Sequence, residues 1–372
     1  MFAIKSDFDG GNIDVLDASD PGNVRLAIKE DGAAKFFQWF CFEASGVAAK
    51  RLTFVIENAH SASYVPGWEN YQAVASYDGE RWFRVETSFD GKALKIMHAS
   101  ESDKVFIAYF AAYPTARYRS FVDEIKASGA YDHSVLARTL DQQEIDYFQI
   151  GEGQTPFWVI ARQHPGETMG SWWMEGFLRG LMDANNVAAV SLRQNTRLHV
   201  IPCMNLDGAN RGHLRTNAAG IDLNRAWRNT TEDKSPEVFY VREAMHASGV
   251  SFFLDVHGDE AIPNNFLDSA KGIPSWDDTH EARFDRFSDL LLAESKDFQT
   301  EMGYPTAPPG KANLDIATNY VAETWGCLAM TLEMPFKDAI VNPDPVYGWS
   351  PERCRNFAHE HIAVMAKMAA EG

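Results

Sequence analysis

The hydrophobic pattern of this 372-residue chain changes character once along its length. Up to about residue 118, short runs rich in β-branched and aromatic residues are separated by turn residues: Leu52 to Ile56, Ser76 to Phe83, and Val105 to Phe110. Short strands at this spacing predict an antiparallel β-sandwich. Beyond Tyr113-Pro114, apolar runs alternate with stretches of helical period. Between Thr168 and Asp183, for example, Met169, Trp173, Phe177 and Leu181 recur on one face. Such alternation predicts an α/β part. The expected organisation is a sandwich domain over 1–118 and an α/β domain over 119–372. No repeat, low-complexity tract or long Pro/Gly/Ser linker separates the two, so they are expected to abut.

Three apolar runs of the second part end in residues that can do chemistry. Phe157 to Ala161 leads into Gln163-His164-Pro165-Gly166-Glu167, Phe252 to Val256 into His257, and Leu328 to Leu332 into Glu333. An HxxE pair is weak by itself, since chance predicts on the order of one or two HxxD/E matches in such a chain. There are three here. His98-Glu101 lies among Lys and Ser and reads as a solvated surface pair, and of His257-Glu260 only the histidine is used below. His164-Glu167 differs because a strand delivers it and Pro165-Gly166 makes a tight turn before a helix. Open α/β sheets bind ligands at such strand ends. The plainer reading is a capping carboxylate beside a surface histidine. With His257, however, the pair completes the His2Glu set that holds catalytic zinc and leaves one position open. Glu333 sits in a run apolar enough to be a buried strand, where a carboxylate is costly unless paired or functional. Burial would raise its pKa into the range of a general base.

Composition narrows the alternatives. The formal charge of -18 repels polyanions, which argues against nucleic acid or an anionic membrane as a general partner. Within that acidic chain, Arg211, Arg215 and Arg225 cluster in the Gly- and Asn-rich stretch from Asn205 to Arg225. A guanidinium is permanently charged and can hold a carboxylate with two hydrogen bonds, so the cluster suits an anionic substrate group; a solvated basic loop is the alternative. Cys41, Cys203, Cys327 and Cys354 lack CxxC spacing and read as buried thiols, leaving His and carboxylate as the available metal ligands. Neither a signal-peptide pattern at the start nor an apolar stretch of membrane-spanning length is visible, and a cytoplasmic location is expected.

Taken in order, HPGE, NLDGANRGHLRTNAAGIDLNR, DVHGDE and TLEMPF resemble the motifs of the carboxypeptidase A-like zinc carboxypeptidases. Phe8 to Asn12, Gln38 to Phe42, Ile56 to Asn58 and Ala108 to Pro114 are similar to the β-sandwich module of the cytosolic carboxypeptidase branch, in its bacterial form. The resemblance covers nearly the whole chain. It implies a mixed-sheet zinc carboxypeptidase domain behind the sandwich. It also implies that His164, Glu167 and His257 bind Zn2+, that Glu333 activates a water, and that Arg215 faces the oxyanion. Asn224 and Arg225 would hold the α-carboxylate of a peptide or protein C-terminus, and Asp222 would orient His164. A tyrosine upstream of the catalytic glutamate should contact substrate; of Tyr304 and Tyr320, the second is preferred. The branch often removes C-terminal glutamates, using an arginine where Gly310 to Asn313 here offers Lys311 and Asn313. Lys311, Arg228 and the loop at Tyr304 are the places where a specificity group is expected.

The expected activity is hydrolysis of the last peptide bond. Two other readings use the same residues: an amidohydrolase acting on N-acyl amino acids, and a module that binds C-termini without cleaving them.

Overall fold

The computed structural model describes residues 2–371. Ten short strands make the first part: β1 (Ala3–Lys5), β2 (Asp14–Asp17), β3 (Val24–Ala27), β4 (Cys41–Ser45), β5 (Arg51–Ile56), β6 (Val74–Ser76), β7 (Phe83–Arg84), β8 (Glu86–Phe89), β9 (Leu94–Ala99) and β10 (Lys104–Ala108). They form two five-stranded sheets, ordered β1-β4-β10-β6-β7 and β2-β3-β5-β9-β8. All pairings are antiparallel apart from β3 with β5. The sheets meet through side chains such as Phe42 and Phe54, whose rings pack edge to face at 5.0 Å. The expected run from Ser76 to Phe83 is two strands around a turn: Asp78 Oδ1 accepts the backbone N–H of Glu80 and Arg81, and Gly79 takes φ +78. His98 is not the free surface group expected either; its Nε2 lies 3.0 Å from the Tyr77 hydroxyl.

The second part is a seven-stranded mixed sheet of β11 (Asp132–Arg138), β12 (Glu144–Ile150), β13 (Thr155–Ala161), β14 (Thr196–Ile201), β15 (Phe252–Asp259), β16 (Phe266–Ser269) and β17 (Leu328–Pro335). Its order is β11-β12-β14-β13-β15-β17-β16, with the middle four strands parallel. Helices α1 (Thr115–Ser128), α2 (Met169–Met182), α3 (Val187–Asn195), α4 (Leu206–Arg211), α5 (Pro236–Ser248), α6 (Asp278–Glu294), α7 (Ala317–Trp325) and α8 (Pro351–Glu371) complete it. Helix α1 runs across the 118/119 division expected from sequence.

The central strands read as unbroken apolar runs because both sheet faces are covered. Phe157, Val159 and Ala161 join one core with Leu254, Val256, Met330 and Leu332, while Trp158, Ile160, Phe253 and Ala329 join the other. Strand alternation then puts Asp255, His257, Thr331 and Glu333 on the face of the second core. The chain turns from β13 toward β14 on one side and later from β15 toward β17 on the other. The crevice at the C-terminal ends of β13 and β15 is therefore the topological switch point.

The two parts share one apolar core. Tyr109 stacks on Phe336 at 4.4 Å. Buried Arg84 donates to the carbonyls of Phe336 at 2.9 Å and Trp349 at 3.0 Å. The expected abutment is thus a continuous packed contact.

Candidate active site

His164 follows β13 through an unusual turn. Arg162 holds φ 61, and its buried guanidinium donates to Pro165 O at 2.5 Å and Ser171 Oγ at 2.7 Å, tying the turn to α2. Gly166 donates its N–H to Leu214 O at 2.9 Å, and a Cβ at this position would stand 2.8 Å from that same oxygen. Only glycine permits this approach. The helix begins at Met169, two residues after Glu167.

The turn brings His164 Nδ1 to 2.6 Å from Glu167 Oε1, and His257 Nδ1 to 2.8 Å from Glu167 Oε2. The two Nδ1 atoms are 3.2 Å apart. Each ring also presents its Nε2 to a carboxylate: His164 to Asp222 at 3.1 Å and His257 to Asp255 at 2.9 Å. Those carboxylates favour the Nε2–H tautomers, which point both Nδ1 lone pairs at one spot beside a carboxylate. Two imidazole nitrogens and a carboxylate within 4.8 Å of one another are a donor set suited to zinc.

Electrostatics agree with a cation at this spot. Burial alone would raise Glu167, but the His164 and His257 rings beside it hold its carboxyl well below the usual range. Burial opposes charge on His257, yet Asp255 and Glu167 outweigh it and raise its pKa. The pocket of carboxylates is incomplete without positive charge, which a proton or a metal dication can supply.

The spot opens on a cavity of about 420 Å³ lined by His164, Glu167, Arg215, Asn224, Arg225 and Glu333 among others. Glu333 stands opposite His257 in the β15–β17 register. It is buried, its Oε2 has no hydrogen-bond partner among the described residues, and burial followed by the nearby carboxylates Glu167, Asp259 and Glu260 raises its pKa well above the ordinary value. Arg215 donates from Nε to Asp222 Oδ2 at 2.7 Å, which leaves both Nη groups for the cavity. Asn224 Oδ1 accepts the N–H of Ala317 at 2.8 Å, so its amide is held at the start of α7. Arg225 is exposed at the cavity and braced by one bond to Asn224 O at 2.8 Å.

Tyr320 is placed elsewhere. It lies on α7 with its ring 6.1 Å from Trp227 and the Arg242 guanidinium 4.7 Å over its face, outside the cavity lining. Helical period turns it toward the core beneath α7. Tyr304 lines the cavity instead, its hydroxyl donating to Asp259 Oδ2 at 2.7 Å. Lys311 and Arg228 are also absent from the lining; both are exposed, and Arg228 pairs with Asp315 at 3.1 Å.

Several participants were not foreseen. Asp255 could have been, because a carboxylate inside Phe252 to Val256 raises the same question as Glu333. Asp31 could not. This buried sandwich residue accepts the backbone N–H groups of Leu214, Arg215 and Thr216 at 2.6, 2.7 and 2.9 Å. Phe36 and Tyr64, also from the sandwich, place their rings 5.6 and 5.8 Å from the Arg215 guanidinium. The first part of the chain therefore builds one wall of the cavity and fixes Arg215.

Residues 4–110 match the cytosolic carboxypeptidase N-terminal domain and residues 80–352 match the zinc carboxypeptidase family. The chain is 43% identical over 365 residues to an uncharacterized protein of Zymomonas mobilis, covering 98% of this chain and 96% of that one. It is similar to a metallo-carboxypeptidase of Pseudomonas aeruginosa, solved in complex with (2-guanidinoethylmercapto)succinic acid: 41% identity, TM-score 0.96, 99% of each chain. Cytosolic carboxypeptidase 2 of Danio rerio is 27% identical, over 71% of this chain but 42% of its own length.

Proposed function

The chain belongs to the zinc carboxypeptidase family, and from that premise we propose that it hydrolyses the C-terminal peptide bond of peptides or proteins with the residues gathered at this cavity. The convergence of His164 Nδ1, His257 Nδ1 and the Glu167 carboxylate carries the reading. Those three residues would hold Zn2+, which supplies a Lewis acid that acidifies water and polarises the scissile carbonyl. Asp222 and Asp255 keep the two rings turned toward it.

The remaining steps fall to the chain's own side chains. Asn224 and Arg225 bind the substrate's α-carboxylate, which sets the distance from chain end to scissile bond and makes the reaction an exopeptidase one. Glu333, buried and unpartnered, accepts the proton of the attacking water and returns it to the leaving amine. The Nη groups of Arg215 face the oxygen on which negative charge develops, already fixed by Asp222 and Asp31. The tyrosine that meets substrate is Tyr304, a reading supported by its position in the cavity lining.

The ligand of the Pseudomonas aeruginosa relative carries carboxylates at one end and a guanidine at the other. Its carboxylate end supports a cavity with an anion anchor at Asn224 and Arg225. A cytoplasmic location is supported by the match to the cytosolic carboxypeptidase module, and no described helix is long and apolar enough to cross a membrane.

Replacement of Glu333 tests the assignment. Glu333→Gln should retain one equivalent of zinc by elemental analysis while peptide turnover falls between about 100- and 10,000-fold. Undiminished turnover would remove Glu333 from the proton path. Release of N-acyl groups from amino acids, with no peptide cleaved, would move the enzyme to the amidohydrolases.

A further inference from the structure

The cavity floor carries a charge that the reaction does not use. Asp268 on β16 pairs with Thr331 on β17, as Phe266 pairs with Glu333. Thr331 is two residues before Glu333, so it shares that face of the strand, about 7 Å back along it. Asp268 and Thr331 both line the cavity. They also adjoin the carboxylate anchor, because the start of α7 is bonded to both: Ala317 N–H to Asn224 Oδ1 at 2.8 Å, and Thr318 to Thr331 through their hydroxyls at 2.7 Å. A terminal residue held by Asn224 and Arg225 therefore has Ile316, Thr331 and Asp268 beside its side chain.

The other cavity acids are placed differently. Glu167 faces the two imidazoles and Asp259 accepts from Tyr304 and from the N–H groups of Ala261 and Ile262, while Glu260, also without a side-chain hydrogen bond or ion pair among the described residues, stands at the sandwich wall near Gly67 and not on β16 beside Thr331. Asp268 has no side-chain hydrogen bond or ion pair among the described residues. Burial pushes it up to about 7, with only the Ser269 backbone acting against that. The arginines lining the cavity are Arg215 and Arg225, both assigned to the anionic parts of the substrate. Such a floor repels a glutamate side chain and gives an aliphatic one nothing in exchange for the water it displaces from the carboxylate. An ammonium or guanidinium would supply the missing partner.

We propose that Asp268 is the specificity-determining residue of this cavity and that the enzyme releases C-terminal lysine or arginine. The inference rests on the carboxypeptidase reading and goes against removal of C-terminal glutamate. The stem of either basic residue reaches across the strand repeat that separates the level of Glu333 from that of Asp268.

The test uses zinc-loaded enzyme and peptides that differ only in their last residue: lysine, arginine, leucine, phenylalanine or glutamate. The basic peptides should exceed leucine in kcat/KM between about 10- and 100-fold, the worth of a charged hydrogen-bonded partner, with glutamate poorest. In Asp268→Asn the ratio of lysine to leucine should collapse toward one. Preference for leucine or glutamate, or an unchanged ratio in the variant, overturns the inference while leaving the carboxypeptidase reading intact. If no peptide is cleaved, that reading fails instead. Calorimetric titration of Glu333→Gln enzyme with L-lysine and L-norleucine then decides the inference separately. Tighter binding of lysine upholds it, and equal binding refutes it.

Discussion

Two regions of the molecule bury carboxylates and treat them in opposite ways. Behind the sheet, Glu175 on α2 is almost fully enclosed, and three cations from three helices surround it. Arg117 of α1 reaches both its oxygens at 3.0 and 3.1 Å, Arg179 of α2 bonds the same group, and Arg355 of α8 approaches to 4.0 Å. In front of the sheet, Glu333 is buried and Asp268 half-buried; the His257 ring stands near Glu333, but among the described residues neither carboxylate forms an ion pair with an arginine or lysine. The difference separates charge used to join helices from charge kept available for a ligand. A buried ion with partners holds structure together, and one without them is retained at a cost that function explains.

Exchanging the two kinds of carboxylate should break the comparison most visibly. Glu333→Gln loses turnover by the orders of magnitude given above, yet its melting temperature should stay level or rise, since an unpaired buried acid has been neutralised. Glu175→Ala should do the reverse. Arg117 keeps Glu80 and Arg179 keeps Glu124, so removing the shared buried carboxylate should cost about 1–3 kcal/mol in denaturant unfolding, while kcat of the folded fraction is kept. Equal stability losses in the two variants would show that the distinction is not real.

A smaller effect is expected at Asp31, which belongs to neither class because backbone N–H groups satisfy it. Asp31→Ala should lower kcat on the order of 10-fold by loosening Arg215, with a smaller change in KM, because the α-carboxylate anchor is untouched. A purely structural role would lower stability and leave kcat alone. The smallest change should follow Tyr304→Phe. Losing one neutral hydroxyl that meets substrate should cost about 3- to 10-fold in kcat/KM, whereas Tyr320→Phe should leave kcat/KM unaltered. The opposite ranking would return substrate contact to α7.

Much of the site was legible because its parts are carried by local pattern. The runs Phe157–Ala161, Phe252–Val256 and Leu328–Leu332 announce buried strands. A His or Glu at the end of such a run is conspicuous for the same reason that it is costly. Tyr304 and Tyr320 show where legibility stops. Both lie upstream of Glu333 at unremarkable spacing, and only the packing of α7, which turns Tyr320 toward Trp227 and Arg242, separates them. Lys311 and Arg228, where a specificity group was sought, are exposed and outside the cavity lining, whereas β16 brings Asp268 into it.

By itself, then, the sequence determined the two-part architecture and the identity of the candidate metal ligands and base. Strand and helix periods, turn residues and the cost of burying charge all operate over a few residues. The tertiary structure alone decided that Asp31, Phe36 and Tyr64 of the sandwich would hold Arg215, and that Asp268 would stand beside Thr331. Those contacts depend on register between strands and packing between parts far apart in the chain, for which no local pattern is required.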